Sequence, residues 1–233
     1  MADLRSILQY DARQFSPVVP FNPLHDKLIS LDFTENNQEL STGILNDTTL
    51  FSKYIDTQLN GRAALYGIGG YGEHRTIYSR SDLFDSGSTA EQPRRLHLGT
   101  DIWGMANTPI MAPLDAVIHS FAFNDRQGDY GATILLSHVV DGFRFLTLYG
   151  HLSLASIKGI QEGDEVKKGQ SFAGFGLPQE NGNWPPHLHF QLIIDPGDYK
   201  GDYPGVCKYG EKEEWLNNSP DPDLILQLNR FIN

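Results

Sequence analysis

Gly131-Ala-Thr-Ile-Leu-Leu-Ser-His-Val-Val-Asp-Gly-Phe-Arg-Phe-Leu-Thr-Leu148 is the stretch whose reading decides the fold. Gly131 to Ser137 reads as a buried strand. Asp141-Gly142, set between two apolar runs, is a strong two-residue hairpin signal. Phe143 to Leu148 is the return strand. Upstream, residues 109–123 hold apolar runs broken by Pro and small residues. Downstream, residues 162–170 form a turn-rich segment with a glycine near each end, and His187 to Ile194 closes the set as another strand. Short strands at this spacing predict a mainly β fold built on an antiparallel sheet or sandwich.

The flanks read differently. Asn46-Asp47-Thr48-Thr49 predicts a helix cap, with the helix running to about Leu59. Tyr66 to Gly72 is a Gly/Tyr segment expected to loop, and residues 85–93 are expected to form a surface loop. Apolar residues at 224, 225, 226, 228, 231 and 232 predict a short C-terminal helix, entered through Ser219-Pro220-Asp221-Pro222. The expected division is an N-terminal segment of mixed helix and loop over 1–84, packing on the rest, and a main domain over 85–233.

Eighteen Lys and Arg stand against 29 Asp and Glu. That balance argues against nucleic-acid binding, which depends on basic residues neutralising phosphates. It argues equally against docking on anionic membranes or polyanionic sheaths. With thirteen Phe, ten Tyr and three Trp, the chain has the material for a core. One cysteine, Cys207, excludes an intrachain disulfide and a Cys-rich structural zinc site, so any metal must be held by His and carboxylates. No signal-peptide pattern opens the sequence and no run approaches a membrane span. A chain starting natively at Met1 is therefore expected in the cytoplasm; a trimmed one would be periplasmic or extracellular.

Eight histidines are present, and their local arrangement separates them. In His187-Leu188-His189, strand parity sends both imidazoles to one face, with Gln191 and Ile193, while Leu188, Phe190, Leu192 and Ile194 share the other. Pro185-Pro186 just before them makes the entry rigid. His97-Leu98-Gly99-Thr100-Asp101 offers an imidazole and a carboxylate, a standard zinc ligand pair. On a straight strand these two would lie roughly 13 Å apart. The segment must bend, and Gly99, which accepts positive φ, is expected to bend it. Tyr149-Gly150-His151-Leu152 ends the return strand and can project His151 into a cleft. His119 and His138 are expected to face the surface. His25 has no partner at ligand spacing, and His74 is held only as a substrate-side candidate.

His97, Asp101 and one of His187 or His189 supply three ligands with an open fourth position, the catalytic zinc pattern. Zinc brings the pKa of bound water to about 7. The remaining imidazoles are placed to move protons and stabilise an oxyanion. The implied chemistry is metal-assisted hydrolysis of an acyl bond.

His97-x-x-x-Asp101, Tyr149-Gly150-His151-Leu152 and His187-Leu188-His189-Phe190 stand in the order and separations of the lysostaphin-type zinc metallopeptidases (metallopeptidase family twenty-three), which this sequence resembles. Gly99, Pro109, Ala112-Pro113, Asp115 and Gly163-Asp164-x-Val166-x-x-Gly169-Gln170 are similar too, and the resemblance covers about residues 95–195. It implies an antiparallel β-sheet groove and one Zn²⁺ per chain, held by His97, Asp101 and His189. It gives His151 and His187 the activation of water or stabilisation of the transition state. It implies a peptide or muropeptide substrate, with cleavage in bacterial cell-wall cross-bridges or stems beside Gly or D-Ala. All five residues are present, unlike the family's inactive regulatory branch. In some members an upstream Asn takes the fourth zinc position, a role for which Asn46 or a neighbour is a candidate here. Gly69-Gly70-Tyr71-Gly72-Glu73-x-Arg75 and Tyr78 resemble intracellular proteins carrying this zinc domain within larger fusions. Two other readings accompany the peptidase: a zinc hydrolase of another small amide, and a non-catalytic binding module.

Overall fold

The computed structural model describes Leu4, Ser6, Leu8 and residues 15–85 and 92–232. In chain order the strands are β1 (Leu28–Leu31), β2 (Tyr66–Gly69), β3 (Arg94–His97), β4 (Thr100–Trp103), β5 (Pro109–Met111), β6 (Ala116–Asn124), β7 (Gly131–Val140), β8 (Phe143–Leu152), β9 (Glu165–Val166), β10 (Ser171–Gly174), β11 (His187–Ile193) and β12 (Val206–Lys208). The helices are α1 (Thr42–Asn46), α2 (Thr48–Gly61), α3 (Lys212–Asn218) and α4 (Asp223–Leu226). Eight strands build one sheet in the order β1-β2-β4-β11-β8-β7-β6-β9. Its only parallel pair among the described residues is β1 with β2. β5 with β10, and β3 with β12, form two short antiparallel ribbons. The molecule is mainly β.

The hairpin forms where its turn chemistry asks for it. Asp141 and Gly142 sit at φ 50° and 78°, and β7 and β8 pair from Val140 opposite Phe143 inward. On β11 the expected parity holds. Leu188, Phe190 and Leu192 enter the main core with Ile102, Ile134 and Leu136. Burying each such side chain is worth about 1.5–3 kcal/mol. His187, His189 and Gln191 take the opposite face and are buried as well.

α2 begins where the sequence indicates. The Asp47 carboxylate accepts from Thr49 N at 2.8 Å and Leu50 N at 3.0 Å. Phe51, Ile55 and Leu59, one helical turn apart, are its buried residues. Phe51 packs edge-on to Phe33 and against Trp103, so the helix braces the sheet beside the histidine-bearing face.

Three expectations require correction. Tyr66 to Gly72 does not loop as a whole: Tyr66–Gly69 is a strand inside the sheet. Its glycines serve close packing, since a Cβ on Gly67 would collide with Leu31. The C-terminal helix stops at Leu226, because the Asp223 carboxylate accepts from Leu228 N at 2.7 Å and Asn229 N at 3.1 Å and Gln227 turns to φ 50°. His138 is buried rather than surface-facing, held between Asp115 O at 3.1 Å and Thr147 Oγ1 at 2.8 Å. Of the loop expected over 85–93, residues 86–91 lie outside the described residues; Asp85, Gln92 and Pro93 are exposed.

Candidate metal centre

Strand register assembles the centre. Asp101 of β4 lies opposite His189 of β11, and Trp103 opposite His187. Gly69 pairs with Asp101 on one side and Gly150 with His189 on the other. The row across four strands reads Gly69, Asp101, His189, Gly150. The two end glycines leave room for large neighbours. A Cβ on Gly69 would meet Arg75 Nη2 at 2.6 Å, and one on Gly150 would run into the Tyr130 ring. Arg75 and Tyr130 in turn touch Asp101 and His189, the Tyr130 hydroxyl at 3.3 Å from His189 Nε2.

His97 enters from another sheet. β3 pairs with β12, and the chain crosses into the main sheet through Leu98-Gly99. That crossing, not a left-handed glycine, brings His97 and Asp101 together: Gly99 is not among the positive-φ residues. Gly99 is demanded by contact instead. A Cβ there would sit 2.5 Å from His189 Cε1 and 2.8 Å from Phe190 O.

The hydrogen bonds fix the tautomers. His97 Nδ1 donates to Gly70 O at 3.0 Å, which leaves Nε2 as a lone pair. Gln191 donates its amide to Pro204 O and Ser219 Oγ, so its Oε1 accepts from His189 Nε2 at 2.9 Å. That leaves His189 Nδ1 as a second lone pair. His97 Nε2, His189 Nδ1 and Asp101 Oδ1 then stand 3.0, 3.0 and 3.2 Å from one another. Ligand atoms at zinc bond lengths of about 2.0–2.1 Å in a tetrahedron are separated by roughly 3.3 Å. Three acceptors turned on one point at this spacing fit a cation. The set is one carboxylate and two imidazoles, all buried. Burial and the Arg75 charge hold His97 down at about 4. Burial alone would raise the Asp101 carboxyl, but His97 beside it and the Arg75 guanidinium hold it well below the usual range. Both groups are ready to bind metal at neutral pH.

His187 and His151 stand beside this triangle. The His187 ring stacks on Trp103 at 3.9 Å, and its Nδ1 donates to Pro185 O at 2.8 Å. Pro185-Pro186 thus supplies an anchor as well as a rigid entry. His151 is placed by its backbone. Regular alternation on β8 would send it to the side of Tyr149, which lies in the main core. At φ 62° the alternation breaks, and the ring lies 4.1 Å from His187. His151 N donates to Tyr130 O at 2.8 Å and its own carbonyl accepts from Gly176 N at 2.9 Å, which holds the unusual conformation. Its Nδ1 donates to Asn181 O at 2.9 Å. Burial first, and then His187 beside it, keeps the His151 imidazole well below the ordinary value; burial takes His187 to about 4. On each ring Nε2 is the acceptor.

Asp101, His151, His187 and His189 all line one cavity of about 230 Å³, walled by Tyr78, Phe84, Tyr130, Trp184 and Tyr203. The five residues singled out in the sequence are therefore brought together. His74 is not: it is exposed and lines a different hollow with Tyr209. Asn46 is exposed at the end of α1 and does not line this cavity. Cys207 is buried with Leu96 and Leu98, and burial pushes its thiol up to about 12. The sequence reading missed three residues, Arg75, Tyr130 and Gln191. Gln191 shares the histidine parity on β11, a signal present in the sequence. Arg75 stood in the 69–75 stretch singled out in the sequence, without a role at the site; Tyr130 carries no signal, because only the folded chain brings it to the ligands.

Residues 95–200 match the sequence family described as Peptidase family M23. The chain is 30% identical over 171 residues to the peptidoglycan DD-endopeptidase ShyC of Vibrio cholerae, across 69% of this chain and 34% of that protein. It is 32% identical over 144 residues to the L-Ala–D-Glu endopeptidase of Bacillus subtilis, across 57% of this chain and 41% of that protein. The matches thus span well under half the length of either relative. Among solved structures, the catalytic domain of lysostaphin from Staphylococcus simulans aligns at a TM-score of 0.39 and 20% identity, over 70% of this chain and 96% of that one.

Proposed function

Since residues 95–200 are a peptidase family M23 domain, we propose that this chain is a zinc-dependent metallopeptidase hydrolysing peptide bonds in peptidoglycan-derived peptides, with Gly- or D-Ala-containing stems and bridges as the first candidates. One observation carries the reading. Three lone pairs converge at 3.0–3.2 Å, beside two further imidazoles whose Nδ1 atoms are tied to backbone carbonyls.

His97 Nε2, Asp101 Oδ1 and His189 Nδ1 are the donors that would hold the ion. Bound there, Zn²⁺ supplies Lewis acidity and acidifies water toward neutral pH. The remaining work falls to the chain's own groups. His151 and His187 are neutral at pH 7 and present Nε2 as acceptor, so either takes a proton from the attacking water. The imidazolium so formed stabilises the developing oxyanion and returns the proton to the leaving amine. His97 and His189 cannot share that work while their lone pairs face the metal. The peptidoglycan-cleaving activities named for the two relatives support the substrate class.

The test incubates zinc-loaded protein with muropeptides and with Gly- and D-Ala-containing peptides, read by mass. The expected result is two fragments whose summed mass exceeds the substrate by one water, with loss of cleavage in chelator. His151→Ala is expected to keep its zinc and lose about 10²–10⁴ in turnover. No cleavage of any peptide by zinc-loaded protein, or undiminished cleavage by His151→Ala, would refute the assignment.

A further inference from the structure

The outer oxygen of Asp101 is held by a residue upstream of the 95–200 stretch. Arg75 is fully buried, and its guanidinium has four polar partners. Nη1 donates to Asp101 Oδ2 and, at 3.2 Å, to the Tyr78 hydroxyl. Nε donates to Glu73 Oε2 at 2.7 Å, and Nη2 to Gly70 O at 3.3 Å. The Phe33 ring lies 5.2 Å from the guanidinium carbon. Cations survive such burial only when paired and hydrogen-bonded, as this one is. The Gly70 carbonyl that meets Arg75 also accepts from His97 Nδ1, so one backbone group serves the outer shell of two ligands. Asp101 is split by these contacts: Oδ1 faces His97 and His189, and Oδ2 faces the guanidinium.

We propose that Arg75 is a positioning residue that fixes Asp101 as a one-oxygen ligand and so keeps the centre four-coordinate. The inference rests on the zinc reading above. Carboxylates bind metals through one oxygen or both. With Oδ2 committed to Arg75, only Oδ1 is offered to the ion, and a fourth position stays open for water or substrate. Without the guanidinium, Oδ2 becomes a buried anionic oxygen lacking a donor, and turning toward the ion relieves it. The arrangement uses all three guanidinium nitrogens at once, which a lysine ammonium cannot reproduce.

The test compares the native sequence, Arg75→Met and Arg75→Lys, each loaded with Co²⁺, whose visible bands are intense when four-coordinate and several-fold weaker at higher coordination. Folding is checked by circular dichroism, and zinc retention by chelator competition. The native protein is expected to show the intense spectrum. Arg75→Met is expected to lose that intensity and to hold zinc about 10–100-fold less tightly, with Arg75→Lys between the two. An unchanged spectrum and retention in Arg75→Met overturns the proposal. If Arg75→Met does not fold, Arg75→Lys decides: behaviour identical to the native protein overturns it. A native protein that binds Co²⁺ with the weak spectrum overturns it too. A native protein that binds neither metal sinks the zinc reading itself, which keeps the two failures distinguishable.

Discussion

Nothing larger than a hydrogen fits at residue 99. A methyl group there would press on His189 Cε1 at 2.5 Å and on the Phe190 carbonyl at 2.8 Å, and neither neighbour is a flexible side-chain end. Gly99→Ala is therefore expected to displace the His189 ring. Overpacking of this kind costs about 1–3 kcal/mol, and zinc retention should fall by at least about tenfold, as for other supports of metal ligands. Chelator competition and a melting curve measure both; unchanged values would mean that the ring has more freedom than its contacts indicate. At this scale the sequence was informative about what binds and poor about how. His97 with Asp101, and the pair His187 and His189, were legible as candidate ligands from residue type and spacing; the choice of His189 over His187 came from the family resemblance. The reason for Gly99 was misjudged: the turn between two sheets, invisible in a linear spacing, replaced the left-handed bend. The left-handed backbone of His151 was equally invisible, although it decides which face the ring joins.

The elements repeat the pattern. The β7–β8 hairpin and the α2 cap were readable because their signals are local: Asp-Gly between apolar runs, and Asp before a helical repeat. β2 was not, because glycines that make room for Leu31 and Arg75 look in a sequence like glycines that make turns. α2 offers a clean measurement. Asp47→Ala removes the acceptor for Thr49 N and Leu50 N and is expected to cost about 1 kcal/mol. That corresponds to a fall of about 2–4 °C in melting temperature for a chain of this size. Zinc retention should change little: Asp47 is exposed, and Phe51, one turn further into the helix, keeps its packing on Trp103 as long as the helix holds. A loss of metal without a change in melting temperature would contradict that division.

Across the whole molecule, the cavity is a joint product of distant segments. Tyr78 and Phe84 come from before the metal motif, and Tyr130, Trp184 and Tyr203 from within and after it. The sequence showed an acidic, mainly β chain with one metal motif. It did not show that residues 70–84 wall the cavity and tether Asp101, because that depends on packing between stretches with no shared pattern. One global property follows from burial. His138 is enclosed, and burial holds it at about 4 against an ordinary 6.5. An unfolded chain protonates this imidazole below about 6.5, whereas the folded one does so only below about 4. Between those values the unfolded state binds more protons, so stability present above pH 6.5 is lost as the pH falls toward 4. The loss amounts to roughly 3 kcal/mol. Denaturant titrations at pH 7 and pH 4.5 measure it; a His138→Asn chain should show a flatter dependence, and an equally steep one would assign the acid sensitivity elsewhere.

The proposed zinc site is His97, Asp101 and His189. Metal analysis of the native chain and of His189→Ala, both purified without chelator and then dialysed, tests it most directly. One zinc per native chain and close to none in a folded His189→Ala is the predicted result; a full equivalent retained by His189→Ala, or none bound by the native chain, would contradict it.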